Sequence, residues 1–256
     1  MDVTVKGRCS DHCRIVLRRP CSAPPSRSVF RSGWTCAACG VARRRPLRAA
    51  WRARIEAGVT NSAGKPQIAI DANGNALAVW NRFNGGSRND IWANRYTAAT
   101  TTWGTALLIE TGNAGTAENP TIAIDANRNG VALWNHFDGA RYDVMATHYV
   151  TATGTWGQAA ISLAASAVSS GDMRVAIDDS GNALVVWRHE EGFTRADIWA
   201  NRYTASVGWG TAALIETDNA GSAIRPQIAM DCSGNAIAVW DQFDANHRGI
   251  WANSYR

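Results

Sequence analysis

The chain carries one 15-residue segment four times, and this repetition restricts its fold more than any other feature. The segment reads PQIAIDANGNALAVW at 66–80, PTIAIDANRNGVALW at 120–134, MRVAIDDSGNALVVW at 173–187 and PQIAMDCSGNAIAVW at 226–240. Its aspartates are separated by 54, 53 and 53 residues. Two further motifs, DIWANRYT at 90–97 and WGTALLIE at 103–110, follow the segment and recur in the same order. Self-similarity at such a period indicates a repeat architecture.

Each unit predicts four short β-strands, which in the first unit lie at Gln67–Asp71, Ala76–Phe83, Ile91–Thr97 and Trp103–Ile109. The pair Asn73-Gly74 separates the first two strands. It predicts a tight hairpin in which both turn residues adopt the left-handed conformation. In the second unit Arg128 takes the place of the turn glycine, so we expect a bulged hairpin there.

A repeat of about 53 residues with four strands has the size of one β-propeller blade. It is too short for a β-sandwich domain of about 100 residues. We therefore expect an all-β fold, a β-propeller built from four-stranded blades. The tryptophans that end the second strand are expected to pack between blades; they are Trp80, Trp134, Trp187 and Trp240.

The hairpin pattern hydrophobic-Ala-hydrophobic-Asp-x-x-Gly-Asn, seen at 68–75, resembles the NHL and related bacterial propeller repeats. The likeness covers about fifteen residues of each unit. It implies a propeller fold and extracytoplasmic or scaffold use, without implying a particular ligand.

The number of blades has two interpretations. The array is divided into units at 55–108, 109–160, 161–214 and 215–256, and the last unit ends before its fourth strand. Ile55-Glu56 aligns with Ile109-Glu110, so a fourth strand also precedes the first complete unit. In one interpretation, segment Ala49–Glu56 completes the last blade and closes a four-blade ring. In the other, the chain is a fragment of a larger ring.

The chain divides into an N-terminal extension, 1–46, and the repeat array, 47–256. Its formal net charge of +5 is distributed unevenly along the sequence. Residues 1–54 contain 13 of the 26 Lys and Arg but only two of the 21 Asp and Glu. The remainder is therefore acidic, and we expect no nucleic-acid partner for it. Residues 1–46 are rich in Arg, Cys and Pro, and we expect them to form a disordered extension. The spacing of their cysteines also allows a zinc site.

The chain contains no apolar run long enough to span a membrane and no visible signal peptide. The repeat array is rich in Asn, Thr, Gly and Trp, and it has a single lysine, Lys65. We expect an extracytoplasmic or secreted protein on this composition. The sequence leaves the oligomeric state open.

The recurring aspartates, Asp71, Asp125, Asp178 and Asp231, are interpreted as turn residues that accept hydrogen bonds from backbone N–H groups two positions later. Catalysis needs one asymmetric set of groups, and a fourfold repeat does not supply it. The alternative is calcium, because Asp71, Asn73 and Asn75 place oxygen atoms at alternate positions. We expect no metal site and no cofactor.

The candidate ligand-binding residues are aromatic and polar side chains of the third and fourth strands. An aromatic platform with neighbouring polar groups is typical of a site that binds sugar rings. The candidates are Trp103, Trp156 and Trp209, with Asn94, Arg95 and Tyr96 and, in the third unit, Asn201, Arg202 and Tyr203.

The third unit carries Arg188-His189-Glu190-Glu191 at a position that breaks the repeat. Paired carboxylates beside a histidine are able to perform acid–base chemistry, but a solvated loop has the same composition. We expect no catalytic residue. The favoured hypothesis is a non-enzymatic extracytoplasmic module that binds a protein or a glycan. The alternative is a glycan-active hydrolase of sialidase-like architecture.

Overall fold

The computed structural model describes residues 53–56, 61–110, 115–157, 161–163, 169–191, 195–217, 221–244 and 246–256. The expected disordered extension, residues 1–46, lies outside the described residues. So do the first four residues of the expected closing segment Ala49–Glu56. The cysteines whose spacing allows a zinc site also lie outside the described residues.

All regular secondary structure in the described part of the chain is β-strand, and no helix is present there. The first blade consists of β1 Ala63–Ile70, β2 Ala76–Phe83, β3 Asn89–Thr97, β4 Thr102–Trp103 and β5 Leu107–Leu108. The second consists of β6 Thr116–Ile124, β7 Gly130–Phe137, β8 Tyr142–Val150, β9 Thr155–Trp156 and β10 Ile161–Ser162. The third consists of β11 Ser169–Ile177, β12 Ala183–Glu191, β13 Arg195–Thr204, β14 Gly208–Trp209 and β15 Ala213–Leu214. The fourth has β16 Ala223–Met230, β17 Ala236–Phe243 and β18 Arg248–Tyr255.

Each blade is an antiparallel sheet in which the three long strands pair in chain order. The first strands of neighbouring blades, β1 with β6, β6 with β11 and β11 with β16, lie beside one another. This arrangement is that of a β-propeller, with the first strands innermost, and it confirms the expected fold class.

The outer strand of each of the first three blades is broken, which the sequence pattern did not predict. The expected strand Trp103–Ile109 consists of β4 and β5, and both pair with β3. Between them, Gly104 N–H donates to Arg95 O at 2.8 Å, and Asn94 Nδ2 donates to Gly104 O at 3.0 Å. The side chain of Asn94 thus inserts into the ladder and divides the outer strand into two pieces.

The Asp turn between the first two strands has one left-handed residue, and the expectation of two was wrong. Only Gly74 has positive φ, at 83°. Its N–H donates to Asp71 O at 3.1 Å, and Asp71 N–H donates to Asn75 O at 2.9 Å. The loop therefore contains three residues and ends on a left-handed glycine, a common hairpin type. Asp71 Oδ1 accepts hydrogen bonds from the N–H groups of Asn73 and Asn75, as expected for a turn aspartate.

Arg128 adopts the same turn as the glycine it replaces, so the bulge expected at this hairpin is absent. Its φ is 72°, and its N–H donates to Asp125 O at 3.2 Å. Ile124 pairs with Gly130, the same register as in the other blades. A large residue is thus held in the left-handed region, which costs a non-glycine residue roughly 1–2 kcal/mol.

The hydrophobic core lies between blades, because alternate residues of each second strand face opposite neighbours. At the junction of the second and third blades, Val131 and Leu133 of β7 pack with Ala183, Val185 and Trp187 of β12. The other two junctions repeat this arrangement around Trp134 and Trp240. The expectation that these tryptophans pack between blades holds for Trp134, Trp187 and Trp240. Trp80 is buried, but it lies in the first blade and in none of the three junctions.

The two ends of the row of blades are exposed. Ile68 of β1 is 62% exposed and Ile250 of β18 is 76% exposed. Residues 53–56 lie against the first blade, where Ile55 O accepts a hydrogen bond from Asn94 Nδ2 at 2.8 Å. Ala76, Ala78 and Trp80 of the same first blade are nevertheless buried. Both interpretations of the blade number stay predictions.

Candidate functional site

The predicted tryptophan platforms form three equivalent aromatic pairs on the outer strands. Each tryptophan lies opposite the tyrosine that ends the third strand, with ring centroids 5.3–5.5 Å apart. The pairs are Tyr96–Trp103, Tyr149–Trp156 and Tyr203–Trp209. Each tryptophan is half-buried. These three indoles are therefore partly accessible to solvent. The role of these residues as ligand platforms stays a prediction.

The polar neighbours in the predicted site contact other parts of the propeller. Asn94 and Asn201 are buried, and Asn94 Nδ2 donates to two backbone carbonyls. Arg95 Nη1 donates to the hydroxyl of Tyr149 at 2.8 Å. Arg202 lies 4.6 Å from the ring of Tyr255, a distance suited to a cation–π contact.

These two arginines occupy the same position in their blades, and each contacts the tyrosine of the following blade. His148 has this position in the second blade, and its ring centroid is 5.4 Å from that of Tyr203. Burial lowers the pKa of His148. The structure thus gives Arg95 and Arg202 a role in joining blades, which the sequence pattern did not indicate because the partners are about 53 residues apart.

A second candidate site was missed by the sequence analysis and lies on the first strands. One polar residue in each first strand has a left-handed backbone, with φ between 50° and 56°. These residues are Lys65, Asn119, Asp172 and Arg225. The register of the first two strands shifts at each of them, which is the signature of a β-bulge. Non-glycine residues in this region are strained, and such strain is concentrated at functional sites.

Three of the four bulge residues, Lys65, Asn119 and Asp172, line an open cavity of about 730 Å³ between the first strands of the first three blades. The polar lining consists of Lys65, Gln67, Asn119, Thr121, Asp172 and Arg174. The cavity thus offers two cationic groups, one carboxylate and several amide or hydroxyl groups.

The charged groups of the cavity are held by neighbouring blades. Lys65 Nζ lies 3.0 Å from Glu118 Oε2, and Glu118 Oε1 accepts from Asn89 Nδ2 at 3.3 Å. Arg174 Nε donates to Gln227 Oε1 at 3.4 Å. These contacts fix the positions of the side chains around the cavity while leaving Lys65 half exposed to it.

One feature of the sequence marks the bulge residues: their position changes in chemistry from unit to unit. The position holds Lys, Asn, Asp or Arg, although the segment that follows it hardly changes between units. A position that varies in chemistry on a constant backbone is typical of a binding surface, since the scaffold is repeated while the contacts are not.

The cluster Arg188-His189-Glu190-Glu191 of the third unit lies on the strand β12, so the expectation of a solvated loop was wrong. Arg188 forms an ion pair with Glu190 in β12. His189 is buried and packs on Trp199, with ring centroids 5.1 Å apart. The side chain of Glu191 lies outside the described residues. The arrangement is that of a structural contact within the sheet.

A different buried acid, Glu110, lies at the junction of the first and second blades. Its Oε1 is 3.7 Å from His136 Nε2. Burial, reinforced by the neighbouring charge of Asp90, raises the pKa of Glu110 to about 7 against the opposing effects of Ile91 N–H and Arg88. The equivalent Glu216 accepts a hydrogen bond from Gln242 Nε2 at 2.8 Å, and burial also raises its pKa.

The turn carboxylates, the alternative calcium ligands, already accept several hydrogen bonds. Asp178 Oδ1 accepts from the N–H groups of Ser180 and Asn182, and Oδ2 accepts from Asn182 Nδ2. Within the described ranges, no group of three or more His, Cys, Asp and Glu side chains is placed to hold a metal ion.

The described residues also contain no helix long and apolar enough to cross a membrane.

Comparison with known proteins supports the fold but gives no family. No protein-family model matches the chain, and no curated protein matches it. Among solved structures, a Hadza microbial sialidase matches with a TM-score of 0.52 and 11% identity over 75% of this chain. An α-L-arabinanase from Penicillium chrysogenum, complexed with arabinobiose, matches with a TM-score of 0.52 and 12% identity over 75% of this chain. A protein of unknown function from Dyadobacter fermentans matches with a TM-score of 0.52 and 11% identity over 78%.

The chain spans 44% of the sialidase and 62% of the arabinanase. At these identities the likeness shows the fold alone, and it agrees with the β-propeller described above. The narrower resemblance to NHL repeats stays a prediction.

Proposed function

We propose that the chain is an extracytoplasmic β-propeller module that binds a glycan in the cavity between its first strands. The observation that carries this proposal is the set of left-handed bulges, which present Lys65, Asn119 and Asp172 to one cavity. The propeller repeats the strained backbone in each blade and changes only the side chain. A purely structural bulge has no need for that variation.

The chemistry of the lining suits a hydroxyl-rich ligand. Sugar hydroxyls both donate and accept hydrogen bonds, and the cavity offers Lys65 and Arg174 as donors, Asp172 as an acceptor, and Asn119 and Gln67 as both. Its volume of about 730 Å³ falls within the range of ligand sites. The solved structures of similar fold include a sialidase and an arabinanase with a bound disaccharide.

Binding is favoured over hydrolysis because of the carboxylates. Most glycoside hydrolases use two carboxyl groups about 5–9.5 Å apart. Asp172 supplies the single carboxylate among the described residues that line the cavity. Glu118, the nearest candidate for a second, is engaged by Lys65 and Asn89. The hydrolase alternative rests on these two acids.

The test uses variants that relax the backbone while removing the side chain. Lys65→Gly, Asn119→Gly and Asp172→Gly each place glycine at positive φ, where it is unstrained. We expect thermal stability to be kept and glycan affinity, measured by calorimetry after a glycan-panel screen, to fall about ten-fold for each lost hydrogen bond. Trp209→Phe serves as the comparison, because it alters an outer-strand platform and leaves the cavity intact.

The outcomes separate the hypotheses. Affinity that falls in the cavity variants but not in Trp209→Phe supports the proposal. The reverse pattern assigns the ligand to the aromatic pairs. Release of reducing sugar that is abolished in Asp172→Asn, with binding kept, establishes the hydrolase. If no glycan in the panel binds, the proposal is wrong.

A further inference from the structure

Arg174, on the first strand of the third blade, carries a charge at a position that is neutral in the other blades. The equivalent residues, each two positions after the bulge residue of its first strand, are Gln67, Thr121 and Gln227. A structural requirement of the bulge would act on all four blades alike, and neutral side chains meet it in three of them. The positive charge of Arg174 therefore belongs to a feature that only the third blade has.

Two neutral acceptors fix the guanidinium of Arg174 at the wall of the cavity. Its Nε donates to Gln227 Oε1 of the next blade at 3.4 Å, and its Nη1 donates to Met173 O at 2.8 Å. A guanidinium carries five N–H groups, and Nη2 forms no hydrogen bond with any described residue. The side chain is partly buried. Its orientation is thus set, while some of its donors stay available to a ligand.

The other charged groups that line the cavity have partners of opposite charge within the propeller. Lys65 Nζ lies 3.0 Å from Glu118 Oε2, and Asp172 Oδ2 lies 3.9 Å from Arg188 Nε. Arg174 forms no ion pair with a carboxylate of the described residues. Within the described part of the lining, it is therefore the charged side chain that has no counter-charge in contact with it.

A partly buried charge of this kind is unfavourable, because burial removes part of its hydration and no protein charge compensates for the loss. An anionic group on a ligand would provide both the counter-charge and acceptors for the remaining N–H groups. Guanidinium groups bind carboxylates and similar oxyanions through two parallel hydrogen bonds, and such charge-assisted bonds are about twice as strong as neutral ones. The surroundings of Arg174 thus favour an anionic ligand group over a hydroxyl group.

We propose that the glycan bound in the cavity is acidic and that Arg174 binds its carboxylate or sulfate group. This inference rests on the proposed function, because it concerns the ligand of the same cavity. Carboxylate and sulfate share the chemistry that Arg174 recognises, a negative charge spread over two or more acceptor oxygens. The hydroxyl groups of the glycan meet the neutral side chains of the lining, such as Gln67 and Asn119, and the anionic group meets Nη2 of Arg174.

The experiment measures binding to the full 256-residue chain by calorimetry, with a panel of neutral, carboxylated and sulfated oligosaccharides. Each anionic member that binds is compared with its own carboxyl-reduced or desulfated form, and the pairs that respond identify the anionic group. Arg174→Gln installs the residue that the first and fourth blades have at this position, so we expect the fold to be kept. Removal of the anionic group should weaken binding to the parent chain about ten- to hundred-fold more than it weakens binding to Arg174→Gln.

Comparing the two ratios removes the effect of charges elsewhere in the chain. Residues 1–54 contain 13 Lys and Arg, which attract any anionic glycan, but the parent chain and Arg174→Gln share them. Arg141→Gln is the matched control, because it makes the same chemical change at an exposed arginine that pairs with Asp138 and does not line the cavity. We expect Arg141→Gln to keep the ratio of the parent chain.

The outcomes distinguish this inference from the proposed function. If neutral members bind as tightly as anionic ones, the acidic ligand is wrong and the proposed function stands. Equal ratios in the parent chain and Arg174→Gln, or an equal fall in Arg141→Gln, overturn the role of Arg174. If no member of the panel binds, both the proposed function and this inference are wrong. Should Arg174→Gln fail to fold, Arg174→Thr, which installs the residue of the second blade, replaces it in the same comparison.

Discussion

Replacing Glu110 with glutamine removes an ionisable group from the junction between the first two blades. Glu110 is 4% exposed, and its nearest ionisable neighbour across the junction is His136, with Oε1 and Nε2 3.7 Å apart. Burial, reinforced by Asp90, raises the pKa of Glu110 from 4.5 to about 7. Glutamine has nearly the same shape and stays neutral at every pH.

The sign of the effect follows from proton uptake. The folded chain holds the proton of Glu110 more tightly than the unfolded chain does. The stability contributed by this group is therefore full below about pH 4.5 and is lost as the pH rises through about 7. A shift of one pKa unit corresponds to about 1.4 kcal/mol, so the parent chain loses about 3 kcal/mol by about pH 8 and less than about 1 kcal/mol by about pH 5.

Urea unfolding followed by tryptophan fluorescence measures this loss across the pH range. We expect Glu110→Gln to exceed the parent chain in unfolding free energy by about 3 kcal/mol near pH 8 and by less than about 1 kcal/mol near pH 5. Glu118→Gln is the matched control. It makes the same chemical change at a partly exposed carboxylate paired with Lys65, and surface pairs contribute about 0–1 kcal/mol.

A particular result would refute this reasoning. If Glu110→Gln is less stable than the parent chain near neutral pH, Glu110 is ionised in the folded protein and forms an ion pair with protonated His136. The attraction between the two charges would then outweigh the cost of burying them, and the role assigned to burial would be wrong.

Four further substitutions, one of them repeated in an Arg95→Ala background, test the turn, the core and the contact between blades. Arg128→Gly relieves a residue at φ 72° and should raise the unfolding free energy by about 0.5–1 kcal/mol, whereas Gly74→Ala, at φ 83°, should lower it by about 1 kcal/mol; thermal unfolding measures both. Trp134→Ala removes a fully buried side chain and should cost about 3–5 kcal/mol in urea unfolding, and a cost below about 1 kcal/mol would contradict the assigned packing. Tyr149→Phe removes the hydroxyl that accepts a hydrogen bond from Arg95 and should lower the unfolding free energy by about 1 kcal/mol. In an Arg95→Ala background the same substitution should cause no such loss, because the hydrogen bond is already absent.

The long strands were predictable because local signals mark them on both sides. The second strand, Ala76–Phe83, agrees with the expected bounds residue for residue. Its apolar run starts after the Asp turn and ends before a glycine-rich loop. Residues next to the strand therefore mark both of its ends. The conformation of the turn was less accessible. Asn-Gly fits both a two-residue loop and the observed three-residue loop, and the hydrogen bonds of Asp71 and Asn75 favour the longer one.

The cavity and the contacts between blades could not be predicted because they depend on distant residues. Asn119 and Arg225 are left-handed without an adjacent glycine to mark the bulge. Arg95 finds its partner, Tyr149, in the next blade, 54 residues away. From the sequence pattern we expected Arg95 to contact a ligand. The sequence does not show that Arg95 has a partner within the protein, because that partner lies in the next blade.

The Asp turn has a consequence for how such a protein changes over evolutionary time. Its hydrogen bonds connect Asp71, Asn75 and Ala98, all within one blade. Among the contacts that must match between blades is that of Arg95 with the tyrosine that each blade repeats at the same place. Duplication or loss of one whole period in the gene would preserve every turn and offer Arg95 an equivalent tyrosine. Blade number is therefore a property that mutation can alter in single steps, while the interior of each blade stays unchanged.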